Sequence, residues 1–139
     1  IVGLLAEVEE AFWWGLYDRE PLDRWSDGRL TLLGDAAHPM LPHLGQGANQ
    51  SVEDGVALAV LLAAGGRDGV VWALQAYEEL RRKRTSAIQL GARANGQRYD
   101  SAYADLQERD AEIADSATFR LWLYDYDSQA EAEAVAATV

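Results

Sequence analysis

The sequence predicts a helix-dominated chain with α/β character and about two short strands. Three observations carry this reading. Residues 49–63 and 70–99 repeat apolar side chains at helical spacing, residues 12–17 and 29–33 are short runs of strand-forming residues, and glycine-rich turns separate these stretches.

Taken in order, residues 1–10 read as the end of a helix, with Leu4, Leu5 and Val8 supplying one apolar face. Residues 12–17 are aromatic-rich and strand-like, and Pro21 ends them. A polar loop over residues 23–28 leads into Arg29-Leu30-Thr31-Leu32-Leu33, which reads as a short buried strand. The helix predicted from Asn49 to Ala63 places Val52, Val56, Ala59, Val60 and Ala63 on one side and Leu58, Leu61 and Leu62 on another. Only a thin polar edge at Glu53 and Asp54 is left, so this helix is predicted to be buried. Gly65-Gly66-Arg67-Asp68-Gly69 turns the chain. Residues 70–99 then read as a long helix with Leu74, Tyr77 and Leu80 facing inward and Glu78, Glu79, Arg81, Arg82 and Lys83 in water. Gly91 and Gly96 are places where it would bend or divide. Residues 100–118 are helical but polar, with a sparse face of Leu106, Ile113 and Ala117. The Ala and Glu alternation from Ala130 reads as a fraying helix end.

Composition bounds the function. The 139 residues, 49% of them apolar, fit one domain, although a part cut from a larger fold would leave core surface exposed. Twelve Lys and Arg against 23 Asp and Glu give a formal charge of -11, which repels nucleic acid and anionic membranes. Without cysteine there is neither a disulfide framework nor a thiolate metal site, and two histidines are too few for an ordinary zinc cage. That composition suits a reducing cytoplasm. No run reaches the roughly eighteen apolar residues of a membrane span, and the apolar start lacks a basic leader, so a soluble protein is expected.

The most informative stretch is Gly34-Asp35-Ala36-Ala37-His38-Pro39-Met40, continued by Pro42-His43-Leu44-Gly45-Gln46-Gly47-Ala48-Asn49-Gln50. Gly34 permits a sharp turn at the strand end, from which the Asp35 carboxylate projects as an acceptor for sugar hydroxyls; the plainer alternative is a capping Asp. Gly45 and Gly47 remove side chains where a flat ring or a phosphate would need the backbone close. The helix beginning near Asn49 aims free N–H groups at the same space.

These residues resemble the second FAD-contacting motif of the flavin-dependent aromatic hydroxylases, single-component monooxygenases of the salicylate hydroxylase-like kind. The Gly-Asp-Ala-Ala-His-Pro run with its Pro-x-x-Gly-Gln-Gly-x-Asn continuation is the specific match. Leu16-Tyr17-Asp18-Arg19-Glu20-Pro21-Leu22 with Trp25, Tyr77-Glu78-Glu79-Leu80-Arg81 and Trp122-Leu123-Tyr124-Asp125-Tyr126-Asp127 extend it over nearly the whole chain. The resemblance implies an α/β parent fold, FAD/NAD(P)-binding and Rossmann-like, with a substrate sheet domain. The Gly-x-Gly-x-x-Gly pyrophosphate turn and the mid-chain Asp-Gly motif of such enzymes are missing, since Asp27-Gly28, Asp54-Gly55 and Asp68-Gly69 sit in other contexts. The chain is therefore read as a C-terminal portion. Residues 1–33 would end the substrate-domain region and supply a return strand, residues 34–64 the second FAD motif and its helix, and residues 65–139 the C-terminal helices.

By the same resemblance, Asp35 binds the ribityl chain of FAD and Pro42 lies beside the reactive edge of the isoalloxazine, where its part is positional. Gly34, Gly45, Gln46, Gly47, Ala48 and Asn49 complete the cofactor contacts, the glycine-led helix end serving the flavin pyrimidine. NADH or NADPH would reduce FAD, and one oxygen atom of O2 would reach a small aromatic substrate. An N-terminal FAD-binding region would be the chief partner, with a homodimer as a further one; the chain alone would not turn over. Two other readings stay open: an FAD-dependent epoxidase or natural-product tailoring oxidase, and a non-enzymatic helical interaction module.

Several side chains invite other chemistry. His38 reads as packed or hydrogen-bonded rather than as a proton shuttle, and His43 either borders the substrate cavity or has no role. A triad of Ser51, His38 and Asp35 lacks a nucleophile elbow. Arg81-Arg82-Lys83-Arg84 reads as a solvated face paired with Glu78 and Glu79, and Trp122, Tyr124 and Tyr126 as packing residues. Gly91-Ala92-Arg93-Ala94-Asn95-Gly96 lacks the Lys and Ser or Thr of a phosphate loop.

Overall fold

The computed structural model describes residues 7–101 and 105–138, the side chains of residue 108 and residues 112–116 excepted. Two short strands, β1 (Ser26–Asp27) and β2 (Leu30–Thr31), are followed by 3-10 turns at Gly34–Ala36 and Pro42–Leu44. Among the described residues four helices follow: α1 (Gly47–Gly65), α2 (Val70–Tyr99), α3 (Leu106–Tyr124) and α4 (Ser128–Ala136). The predicted helix-dominated fold with two short strands is what the chain adopts.

The strands pair antiparallel, Ser26 opposite Thr31 and Asp27 opposite Leu30, around Gly28 at φ +58°, the left-handed geometry a two-residue hairpin turn demands. The hairpin is fastened to α2 by the Ser26 amide, which donates to Glu78 Oε2 at 2.7 Å, and by Ser26 Oγ, which donates to the Leu74 carbonyl at 3.1 Å. The core lies where α1, α2 and α4 meet. Ala57 and Leu61 pack with Ala73, Ala76 and Tyr77, Trp25 and Ala37 close one end, and Ala132 of α4 closes the other. Alanine at most of these positions lets the helix backbones approach closely, so little apolar volume suffices.

Several expectations are corrected. Residues 12–17 form no ladder with any described residue, and Phe12, Trp13, Trp14 and Tyr17 are 73–100% exposed. Strand propensity reports fit to a pleated, half-covered surface, and the described residues offer none to this segment. Of the helix predicted over residues 1–10, the first six lie outside the described residues and residues 7–10 are not helical. Within the predicted loop over residues 23–28 sits strand β1, and the following strand is confined to Leu30–Thr31 with Leu30 exposed rather than buried. Helix α1 starts two residues before Asn49, and its Val52 flank is exposed, so only the Ala57 and Leu61 face is covered.

Helix α2 runs unbroken through both glycines, whose role is clearance. A Cβ at Gly96 would overlap the His43 ring, and one at Gly91 would lie 2.9 Å from Phe119 Cζ. Helix α3 begins at Leu106, where Asp105 caps it by accepting from the Gln107 amide at 2.8 Å. Leu106 and Ala117 are exposed, and Ile113 lies outside the described side chains. Helix α4 is packed rather than fraying. Asp127 caps it through the Gln129 and Ala130 amides, Ser128 Oγ donates to the Glu53 carbonyl at 2.8 Å, and Ala132 is fully buried.

Candidate functional site

Where β2 ends, Gly34 takes φ +60° and its carbonyl accepts from the amides of Ala37 at 2.9 Å and His38 at 2.8 Å, closing the 3-10 turn that presents Asp35. A Cβ on Gly34 would stand 2.8 Å from Ser51 Oγ, so both geometry and crowding require glycine there. Asp35 is exposed. Pro42 opens the second 3-10 turn, which ends on Gly45 at φ +64°, and α1 begins two residues later.

The two turns and the start of α1 enclose an open pocket of about 640 Å³. Gly34, Asp35, Pro42, Gly45, Gln46, Gly47 and Ala48 line it, together with Leu33, Met40 and Ser51. Asn49 is not on the wall; it is exposed, and its side chain reaches back toward the Gly45 carbonyl at 3.5 Å. The pocket has two chemically distinct walls. One carries the Asp35 carboxylate. The other is the amino end of a 19-residue helix whose N-cap residue, Gln46, makes no side-chain cap hydrogen bond among the described residues, so its first-turn amides and the positive end of its dipole stand at the pocket. The walls stand close at Gly47, where even a Cβ would lie in ordinary contact with Asp35 Oδ1 and Met40 Cγ, both at 3.9 Å. An acceptor facing an uncapped amide cluster suits a ligand with hydroxyls on one part and a polarisable, electron-accepting ring on another, as FAD has.

Behind the pocket lies a buried polar network that sequence reasoning missed. Asp54, fully buried on α1, accepts from His38 Nε2 at 2.6 Å and the Gly34 amide at 3.1 Å through Oδ2, and from Arg81 Nε at 2.8 Å through Oδ1. Arg81 also donates to Glu53 Oε2 at 2.7 Å and Gln50 Oε1 at 2.8 Å. Burial opposes the charge on Asp54, but the hydrogen bonds from His38 and Arg81 prevail and hold the carboxyl below its ordinary value. Burial likewise opposes the charge of Arg81, and Asp54 and Glu53 overcome it, so the guanidinium holds its proton more firmly than usual. The reading of Arg81 as a solvated cation is therefore wrong. Arg84 is buried too: it donates to the Leu123 carbonyl at 2.8 Å and lies 3.7 Å from the Tyr126 ring centre and 4.6 Å from that of Trp122. Two of the three C-terminal aromatics thus pack on a cation, while Tyr124 remains exposed. A signal for Asp54 existed. Gln50, Asp54, Ala57 and Leu61 recur at helical spacing, a polar pair continuing an apolar stripe.

His38 is packed as expected, 5.5 Å from the Trp25 ring centre. His43 does not line the pocket; it sits against Gly96 and edge-on to Tyr99, and its carbonyl accepts from Asn95 Nδ2 at 2.7 Å. The segment before the hairpin is tied to the motif. Arg19 donates to the carbonyls of Ala36 at 2.5 Å and Ala37 at 3.2 Å, and Arg93 pairs with Asp18 at 3.0 Å and Glu20 at 2.7 Å.

The family described as an FAD binding domain matches residues 2–91. Over 131 residues the chain is 39% identical to the 3-amino-4-hydroxybenzoate 2-monooxygenase PtmB3 of Streptomyces platensis, covering 92% of this chain and 33% of that protein. It is 44% identical over 89 residues to the 6-hydroxynicotinate 3-monooxygenase of Pseudomonas fluorescens, covering 64% of this chain and 23% of that protein. Among solved structures it is similar to a salicylate hydroxylase substrate complex, with a TM-score of 0.75 and 36% identity over 88% of this chain and 30% of that one. It is also similar to CtdE in complex with FAD and a substrate, with a TM-score of 0.71 and 33% identity over 87% of this chain and 30% of that one. The chain therefore spans about a third, or less, of the length of the relatives it matches. By sequence and by backbone alike, it belongs to the FAD-binding domain family to which its monooxygenase relatives point.

Proposed function

We propose that this chain is the C-terminal, FAD-contacting portion of a flavin-dependent monooxygenase that hydroxylates a small aromatic substrate with NADH or NADPH and O2. The observation that supports it best is the two-walled pocket, in which the Asp35 carboxylate faces the uncapped amino end of α1. When bound, FAD supplies the redox chemistry, passing electrons from the nicotinamide to O2 so that one oxygen atom enters the ring. This chain's residues bind and orient. Asp35 accepts hydrogen bonds from hydroxyls of the sugar-alcohol arm. The first-turn amides of Gly47 and Ala48, with the helix dipole behind them, stabilise negative charge on the pyrimidine edge of the ring, and Asn49 follows them in the same turn. Gly45 and Gln46 form the strip of chain leading into that turn, and Pro42 is the rigid residue that shapes the rim on the substrate side.

The remaining parts, a pyrophosphate turn and most of a substrate sheet, belong to an N-terminal region in this reading, and the isolated chain does not turn over. Cytoplasmic residence and pairing of two copies are part of the same proposal. The names of the relatives, among them 3-amino-4-hydroxybenzoate 2-monooxygenase and 6-hydroxynicotinate 3-monooxygenase, favour an aromatic carboxylic acid as substrate. An epoxidase or tailoring oxidase would use the same pocket, and product analysis distinguishes it. A non-enzymatic module would use no cofactor at all.

The test is to purify the full-length protein that contains this chain and supply NADH or NADPH, labelled O2 and a panel of hydroxylated and aminated benzoates. Yellow protein with one labelled oxygen in an aromatic product is the expected result. Colourless protein with no flavin uptake would favour the interaction module, and labelled epoxide the alternative oxidase.

A further inference from the structure

We propose that Asp54 is a positioning residue for the cofactor: it holds the acidic wall so that the Asp35 carboxylate is aimed into the pocket. This rests on the reading of the pocket as the flavin site. Asp54 lies on α1 about two turns beyond the helix start that forms one wall. Its Oδ2 takes the amide of Gly34, the residue immediately before Asp35 on the other wall, at 3.1 Å. With the Gly34 carbonyl already held by the Ala37 and His38 amides, both backbone polar groups of Gly34 are fixed, and one of them is fixed to α1. The acidic wall is thereby hooked to the body of the helix whose tip is the amide wall.

The pattern of bonds exceeds what packing the helices requires. Arg81 with Glu53 and Gln50 already joins α2 to α1. The Gly34 and His38 bonds add nothing to that junction, yet they consume a fully buried carboxylate oxygen. Three donors converge on Asp54, and only a carboxylate, which accepts at both oxygens and donates at neither, meets all three; an amide would turn an NH2 toward one of them. Ligand-binding groups need such support, because a carboxylate displaced by a fraction of an ångström loses its hydroxyl partners.

The experiment is a double-mutant cycle in FAD affinity on the full-length protein, with Asp35→Asn, Asp54→Asn and the pair, read by flavin fluorescence well below the melting temperature of each variant. Asp35→Asn is expected to weaken FAD by about tenfold. If it does not, the reading of the pocket itself fails. If it does, Asp54→Asn is expected to weaken FAD comparably in the wild-type background and hardly at all beside Asp35→Asn, because it acts through that carboxylate. Additive losses, or unchanged affinity in a folded Asp54→Asn protein, would overturn the proposal. Should Asp54→Asn not fold, His38→Ala and His38→Gln decide. Affinity lost with alanine and restored with glutamine, whose amide donates to Asp54 in the imidazole's place, supports it; equal behaviour of the two overturns it.

Discussion

Asp54 and Arg81 meet in full burial, 2.8 Å apart, and the consequences of disturbing them follow from the environment rather than from the pair alone. Replacing Arg81 with Met would leave the Asp54 carboxylate desolvated beside only His38 and one amide. Loss of about 3–5 kcal/mol of stability is expected, measured as the shift of a urea unfolding midpoint. The lowered pKa of Asp54 gives a pH dependence of definite sign. Above its ordinary value of 3.8 the carboxylate is charged in folded and unfolded chains alike, and its stabilising contribution is complete. As pH falls below that value the unfolded chain binds the proton first, so stability drops until the folded carboxyl is protonated as well. Unfolding midpoints measured from pH 6 down to pH 2.5 should show this fall, and an Asp54→Asn variant should show less of it. None of this was legible in residues 81–84, where Arg81, Arg82 and Lys83 sit at ideal spacing from Glu78 and Glu79. Local spacing cannot reveal a partner 27 positions away on another helix, nor that Arg84 would find Leu123 and Tyr126.

At the scale of elements, the strong local signals held. The bounds of α2 rest on turn chemistry and apolar period, which a single sequence displays, whereas α1 starts two residues before the predicted Asn49 and the hairpin around Gly28 falls in what reads as a loop. The failures came where an element depends on a neighbour. Residues 12–17 have strand composition without a strand partner among the described residues, and α4 has weak composition but a firm place against α1. The close pass of the Pro42–Leu44 turn over α2 provides a test. Alanine at Gly96 would gain up to about 1 kcal/mol of helix propensity. It would also drive a Cβ to 2.6 Å from His43 Nε2, and overpacking of that kind costs about 1–3 kcal/mol. Because Asn95 holds the His43 carbonyl, the turn cannot swing away freely. Gly96→Ala is therefore expected to be destabilising overall and to shift Pro42, seen as a lower melting temperature and an altered visible spectrum of bound flavin.

The whole molecule exposes 9479 Å², whereas a compact monomer of 15.3 kDa would expose about 7,100 Å². Part of the excess is aromatic: Phe12, Trp13, Trp14, Tyr17 and Tyr124 all stand in solvent. A charge of -11 counters association without covering that surface. The isolated chain is expected to bind a hydrophobic dye strongly, and the full-length protein weakly, in a side-by-side fluorescence titration. Among the described residues no helix is long and apolar enough to cross a membrane. The lining of the pocket was the most legible part of the molecule, because its residues all lie between Leu33 and Ser51 and two glycine turns bring them near one another. The Asp54 carboxylate behind it was not, because its partners lie on two other segments, the Gly34–His38 turn and α2.

The central claim is that an acidic group at a strand end and the bare tip of the next helix grip one flavin between them. A crystal structure of the full-length protein with FAD tests it most directly. The account requires the Asp35 carboxylate within hydrogen-bond reach of a ribityl hydroxyl and the first-turn amides of α1 beside the pyrimidine edge. A flavin bound elsewhere, or one that leaves Asp35 in solvent, would contradict it.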